Sequence, residues 1–241
     1  MSAIPASEFD RRVAGRSVEE IWREHYEPDT PGRVRRLRLL LAALDPRPGE
    51  RILDVGCGVG PTAYWAARAG ARVVGVDFSH VSLDAGTRVA RARGDARIAF
   101  VRADGTQLPV AAARFDKVMC VDVMDMLPPA AHKALFAELL WAVRPGGTVL
   151  LYTPNAVRER LGAAIRPLRR RLGRWRDRSE CPLHVGLTTA ARVRGLLRSL
   201  GAVGRVSYAD MNYPALAALP LARRWLAGHQ LWTIRRGGRR G

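Results

Sequence analysis

Apolar and polar positions between residues 51 and 155 alternate in blocks that read as strand, helix, strand. Arg51-Ile-Leu-Asp-Val55 is a short β-prone run with Ile52, Leu53 and Val55 apolar, followed by a helix-compatible segment from Ala63 to Ala69. The pattern returns at Arg72 to Asp77, Ile98 to Asp104 and Phe115 to Asp122, and Arg144-Pro-Gly-Gly147 is a turn feeding a fifth strand that ends near Asn155. Short, nearly continuous apolar strands separated by helical segments predict an α/β fold, a parallel sheet with helices on both faces. Ahead of the first strand, Ser17-Val-Glu-Glu20 has the form of a capping box opening a helix from Val18 to about Tyr26. A second helix carries Val34, Leu37, Leu41 and Leu44 on its apolar stripe. Residues 1 to 16 show no periodicity and are read as loose. Ser79 is placed to cap the helix after Asp77; Gly105, Gln107 and Pro109 make a loop; Pro128 and Pro129 lead into a helix from Ala130 to Val143. A helix from about Thr189 to Leu200, a strand near Gly204 to Tyr208 and a last strand from His229 to Arg235 complete the pattern.

The first strand drives into glycines at alternate positions, Gly56, Gly58 and Gly60. A strand, tight turn and helix of this kind let backbone approach a ligand where a Cβ would stand in the way. In a doubly wound sheet the crevice beside such a turn is closed by an acid about 20 residues on, at the end of the next strand, which takes ribose hydroxyls. Asp77 occupies that place, and Asp104 ends the third strand where an adenine edge would lie. The dinucleotide fingerprint needs a glycine at position 61, where Pro61 stands.

The stretches Asp54-Val-Gly-Cys-Gly-Val-Gly60, Val76-Asp77-Phe-Ser79, Ala103-Asp104, Phe115-Asp116 and Arg144-Pro-Gly-Gly147 resemble the successive motifs of the class I S-adenosylmethionine-dependent methyltransferases. The resemblance covers residues 50 to 155 well and fades towards residue 205. It implies a Rossmann-like, doubly wound, seven-stranded sheet, mostly parallel, whose last strand forms an antiparallel C-terminal hairpin with the sixth. It also implies an N-terminal helical cap over residues 1–45 and a cofactor-binding domain over 46–241, with an insertion at 156–187. The cofactor implied is S-adenosyl-L-methionine, held by Asp54, Gly56, Cys57, Gly58, Gly60, Asp77, Phe78, Ala103, Asp104, Gly105, Val121 and Asp122. The family's N-terminal helices often lend an aromatic over the cofactor; Trp22 and Tyr26 are the candidates, with a buried packing role as the alternative.

Charge changes the picture next. The chain carries a formal net charge of +18, of which residues from Asn155 onward hold 19 arginines against 4 acids. The basicity therefore belongs to the C-terminal third. Residues 158 to 178 place Leu161, Ile165, Leu168, Leu172 and Trp175 on one helical face and arginines on the rest. Such a segment can lie on an anionic bilayer, cover the domain as a lid or contact nucleic acid, and the pattern leaves all three open. Cys57, Cys120 and Cys181 have neither disulfide nor metal spacing, which points to reduced thiols in a cytoplasmic protein and no metal. Peripheral contact with the inner face of the membrane stays open.

Methyl transfer to a hydroxyl needs a proton acceptor. His184 is the first candidate, in the loop after the fifth strand; related sequences often carry a histidine there in a Pro-x-His setting. Asp125 is the second, with a helix-start carboxylate as its alternative reading, and His25 is a weaker one. Relatives place a histidine where this chain has Met126. His80, His132 and His229 are read as surface residues. The Asn/Asp-Pro-Pro-aromatic signature of base-amine methylation is absent after the fourth strand. The resemblance thus favours a small-molecule or lipid-like acceptor methylated on oxygen. An RNA-directed enzyme and a non-catalytic domain that binds anionic partners stay as alternatives.

Overall fold

The structure, a computed structural model, describes residues 6–27, 29–95, 97–161, 185–211 and 220–236. One sheet contains seven strands, β1 (Arg51–Val55), β2 (Arg72–Asp77), β3 (Ile98–Arg102), β4 (Phe115–Val121), β5 (Val143–Pro154), β6 (Val203–Met211) and β7 (Ala227–Arg235). Their order is β3-β2-β1-β4-β5-β7-β6. β7 lies between β5 and β6 and runs antiparallel to both, while the other pairings are parallel. The helices are α1 (Ala6–Val13), α2 (Val18–Ile21), α3 (Pro31–Leu44), α4 (Pro61–Arg68), α5 (His80–Ala92), α6 (His132–Ala142), α7 (Ala190–Ser199) and α8 (Pro220–Leu226).

β1 sits in the middle of the sheet, and its Ile52, Leu53 and Val55 are fully buried. Side chains on a strand alternate between faces. Leu53 and Val55 accordingly join one apolar layer with Phe136, Leu139 and Val193 of α6 and α7, and Ile52 joins the other with Leu40 and Leu44 of α3 and Ala63 and Ala66 of α4. From β1 the chain steps outward to β2 and β3, then returns to lay β4 on the opposite side of β1. A crevice at the carboxyl ends of the strands is expected where the winding reverses in this way.

Several local expectations are met through the caps foreseen. Glu20 N–H donates to Ser17 Oγ at 3.2 Å and Ser17 N–H to Glu20 Oε2 at 2.8 Å, closing the capping box. Ser82 N–H donates to the Ser79 hydroxyl at 3.0 Å at the start of α5. Others need correction. Residues 6 to 13, read as loose, form α1, which packs on α5 and buries Val13. The helix of Val18 to Tyr26 widens after α2 into a π-helical turn, Trp22–Tyr26, closed by Glu27 N–H on the Trp22 carbonyl at 3.0 Å. Arg144 to Gly147 lies within β5, where the pairing with β4 shifts register between Phe115 and Lys117. His132, expected on a surface, is wholly buried, its Nε2 2.8 Å from the Met124 carbonyl and 3.1 Å from that of Leu127.

The insertion is anchored where it leaves and where it returns. Asn155 and Thr188 form a parallel bridge; Asn155 Nδ2 donates to the Ala227 carbonyl at 3.1 Å, and Gln230 Nε2 donates to that of Thr188 at 2.9 Å. Residues 156–161 are helical. The remainder of the basic amphipathic stretch, with Cys181 and His184, lies outside the described residues. Cys57 and Cys120 are free and buried. Among the described residues no helix is long and apolar enough to cross a membrane.

Trp232 shows how much this core rests on β7. It is fully buried, with Nε1 donating to Gln230 Oε1 at 3.1 Å. Replacing it with alanine deletes the largest fully buried side chain among the described residues and should lower stability by ~3–5 kcal/mol in urea denaturation.

Candidate functional site

The turn after β1 is held from below by β2. Gly56 and Cys57 N–H groups both donate to the Val76 carbonyl, at 2.7 and 3.0 Å. Gly56 has φ +73°, and a Cβ there would lie 2.1 Å from Val123 Cγ2, so no other residue fits. The Asp77 carboxylate then bridges two segments, accepting from Gly58 N–H at 2.8 Å and Ser79 N–H at 2.9 Å. The glycine turn and the start of α5 thus share one carboxylate.

Above this floor lies a cavity of about 690 Å³. Of the residues expected to hold a cofactor, Gly56, Cys57, Gly58, Asp77, Phe78, Ala103, Asp104, Gly105, Val121 and Asp122 line it. Three do not. Asp54 is buried behind the turn, and Gly60 opens α4 with φ +85° without lining the cavity. Tyr26 is buried as well: its ring stacks on Trp22 at 5.2 Å, and its hydroxyl donates to the Val59 carbonyl. Tyr26 therefore props the turn from outside and corrects the expectation that it contacts a ligand. Its role is the packing alternative.

Asp125 is also corrected. It is fully buried on the 3₁₀ turn Met124–Met126 and does not line the cavity, whereas Met126 and Leu127 beside it do. His184 lies outside the described residues. His25, the weaker candidate from sequence, is a lining residue.

Sequence reasoning missed the wall contributed by α1 and α3. Phe9, Arg12 and Val13 line the cavity from α1, and Arg36 from α3. The Phe9 ring meets Phe78 edge-on at 5.5 Å, and the Ser79 hydroxyl donates to Asp10 Oδ1 at 2.5 Å, fixing α1 against the ends of β2 and α5. Phe9 and Val13 stand one helical turn apart within the stretch read as loose, so no sign of this wall was read from the sequence. Of the N-terminal aromatics among the described residues, Phe9 lines the cavity, whereas Trp22 and Tyr26 do not.

Electrostatics divide the lining groups. Burial raises the Asp77 carboxyl, opposed by the amides of Ser79, Gly58 and Phe78. Asp54 is pushed up to about 8, first by burial and then by the charge of Asp77, against one hydrogen bond from the Ala63 amide. Burial thus favours the protonated form of Asp54. Burial also raises Asp104, but the amide and hydroxyl of Thr106 outweigh it and hold this carboxyl below its ordinary value. Burial raises the Cys57 thiol, and the neighbouring acids Asp54 and Asp77 raise it further, so it is protonated and inert. His25 is lowered, chiefly by burial and further by Arg16, Arg33 and Arg12, with Glu24 opposing, which leaves a neutral imidazole at neutral pH. Asp122 takes φ +53°, and its Oδ2 pairs with Arg36.

Residues 52–147 match the family model described as a methyltransferase domain. A demethylmenaquinone methyltransferase of Clavibacter sepedonicus is 40% identical over 110 residues, which cover 45% of this chain and 43% of the relative. A ubiquinone biosynthesis O-methyltransferase of Alkalilimnicola ehrlichii is 35% identical over 122 residues, 50% of this chain and 48% of the relative. The matched region thus spans less than half the length of these curated relatives. Among solved structures, a Haemonchus contortus phosphoethanolamine N-methyltransferase 2 in complex with S-adenosyl-L-methionine superposes with a TM-score of 0.67 at 17% identity, over 98% of this chain and 61% of that one.

Asp54 gives the site a pH signature. Its folded pKa of about 8 lies above the unfolded value of ~3.9, so its contribution to stability is complete below about pH 4 and is lost as pH rises through 8. Denaturation midpoints measured from pH 5 to 9 should decline for the wild type, and Asp54→Asn should flatten that decline.

Proposed function

Residues 52–147 match a methyltransferase domain, and from that premise we propose that the chain is a class I S-adenosylmethionine-dependent methyltransferase that moves a methyl group to an oxygen of a small-molecule acceptor in the crevice above the glycine turn. One observation carries the reading: the glycine turn, Asp77 and Asp104 line a single cavity of about 690 Å³ that also has an apolar wall at Val123, Met126 and Leu127. The residues fit the cofactor. Asp77 and Asp104, fixed by backbone amides, can accept hydrogen bonds from ribose hydroxyls and an adenine amine, and Phe9 and Phe78 offer apolar surface to a base. When bound, S-adenosylmethionine supplies an electrophilic methyl group on a sulfonium that leaves as a neutral thioether.

The protein's part is alignment, exclusion of water and removal of a proton. Holding two reactants in near-attack geometry is worth ~7–11 kcal/mol. The rigidity for this comes from Asp77, which locks the turn, and from Tyr26, which braces it at Val59. The proton acceptor we assign is His25: it lines the crevice, and its imidazole is neutral at neutral pH. His184 is the competing assignment. Curated relatives named for O-methylation support oxygen as the nucleophile.

Calorimetry should detect S-adenosylhomocysteine binding to the wild type, and Asp77→Ala should weaken it at least ~10-fold, since removal of a charged hydrogen-bond acceptor costs ~1.5–3 kcal/mol. Incubation with methyl-labelled cofactor and extracted metabolites should label a small molecule; label entering RNA alone would overturn the acceptor class. His25→Gln should lower kcat ~10²–10⁴-fold. The wild-type rate should rise with pH through a value below the ordinary ~6.5 of histidine and be level by pH 7. An equal loss in His184→Gln with none in His25→Gln would move the base to His184.

A further inference from the structure

Arg36 is built in more firmly than a surface arginine. One of its terminal nitrogens pairs with Asp122 Oδ2, and its guanidinium lies over the Tyr152 ring, 5.1 Å from the centroid. Tyr152 is fully buried and is itself stacked on His229 at 4.5 Å and 14°. The other nitrogens of Arg36 hydrogen-bond to nothing among the described residues, and none of them is sealed from solvent. Arg36 is a lining residue of the crevice. Asp122 and Tyr152 thus fix the plane of the guanidinium and leave donors over, which is the preorganised fork that suits a carboxylate or phosphate.

Arg12 lines the same crevice from α1. Its guanidinium rests 5.9 Å from the Phe9 centroid, and no carboxylate pairs with it among the described residues. The acids of the crevice do not compensate it either. Asp77 is engaged by backbone amides, Asp104 by Thr106 and Asp122 by Arg36. The wall made by the N-terminal elements therefore presents two guanidinium groups and the neutral His25, next to the apolar side chains of Val123, Met126 and Leu127.

We propose that Arg36 and Arg12 read an anionic group on the acceptor, so that the substrate is an apolar body carrying a carboxylate or phosphate as well as the hydroxyl that is methylated. This rests on the methyl-transfer reading above and narrows its substrate class. A neutral ring, such as a quinol without an acidic substituent, would leave both arginines unused. The same chemistry has a second source in the cofactor, whose amino-acid portion also ends in a carboxylate, and the test must separate the two.

The protein loaded with S-adenosylhomocysteine is titrated with 4-hydroxybenzoate, inorganic phosphate and phenol at constant ionic strength. The expected result is that an anion binds and phenol binds more weakly. Arg12→Gln and Arg36→Gln should each weaken the anion about 10- to 100-fold while S-adenosylhomocysteine affinity changes by no more than about threefold. Arg36→Lys keeps a countercharge for Asp122 and so protects the fold, yet loses the planar fork and should also weaken the anion. Equal binding of phenol and 4-hydroxybenzoate together with no phosphate binding, or anion affinities unmoved by all three substitutions, would overturn the inference. So would a loss confined to S-adenosylhomocysteine and absent for 5′-methylthioadenosine, which lacks the amino-acid portion; that result would assign the arginines to the cofactor. No binding of S-adenosylhomocysteine to the wild type would defeat the transfer reading itself and this inference with it.

Discussion

The shared carboxylate of Asp77 is the constraint on which the crevice depends. A turn of alternating glycines has little reason to keep one shape, because each glycine has many conformations to lose. Here the turn is tied to β2 by the Val76 carbonyl and by Asp77, which also closes onto Ser79 at the head of α5. Ser79 in turn holds Asp10 of α1. One buried acid therefore couples the floor of the crevice, a flanking helix and the N-terminal wall. Burial, and after it the charge of Asp77, raises the carboxyl of Asp54, the acid behind it.

The sheet and the crevice floor were legible in the sequence for physical reasons. Central parallel strands are buried on both faces, so Ile52, Leu53 and Val55 read as a continuous apolar run, and only a glycine fits at Gly56 beside Val123. Strand-end acids were legible as a set but not as individuals: sequence spacing cannot tell Asp77, which lines the cavity, from Asp54, which lies behind it. Asp125 and Asp122 stand three residues apart, yet one turn of 3₁₀ helix directs Asp125 into the core and leaves Asp122 at the crevice.

The N-terminal wall was the least legible part. α1 is short and arginine-rich, and its placement is decided by tertiary contacts of Phe9 and Asp10 with residues some seventy positions away. The two aromatics favoured from sequence, Trp22 and Tyr26, stack on each other and serve the turn from its outer side. Similarly, Arg36 is one of four arginines on α3, and its spacing alone does not single it out. Its pairing with Asp122 and its seat on Tyr152 depend on three separate elements meeting at the switch point of the sheet.

The bridge between Asn155 and Thr188, backed by Gln230, has an evolutionary consequence. Because the chain departs from the sheet and rejoins it at one fixed point, the segment between these residues can lengthen, shorten or be replaced with little effect on the strands; doubling a loop's length costs only ~0.6 kcal/mol. Descendants of such a chain could exchange this cassette to gain new chemical preferences while inheriting the sheet and the floor of the crevice unaltered.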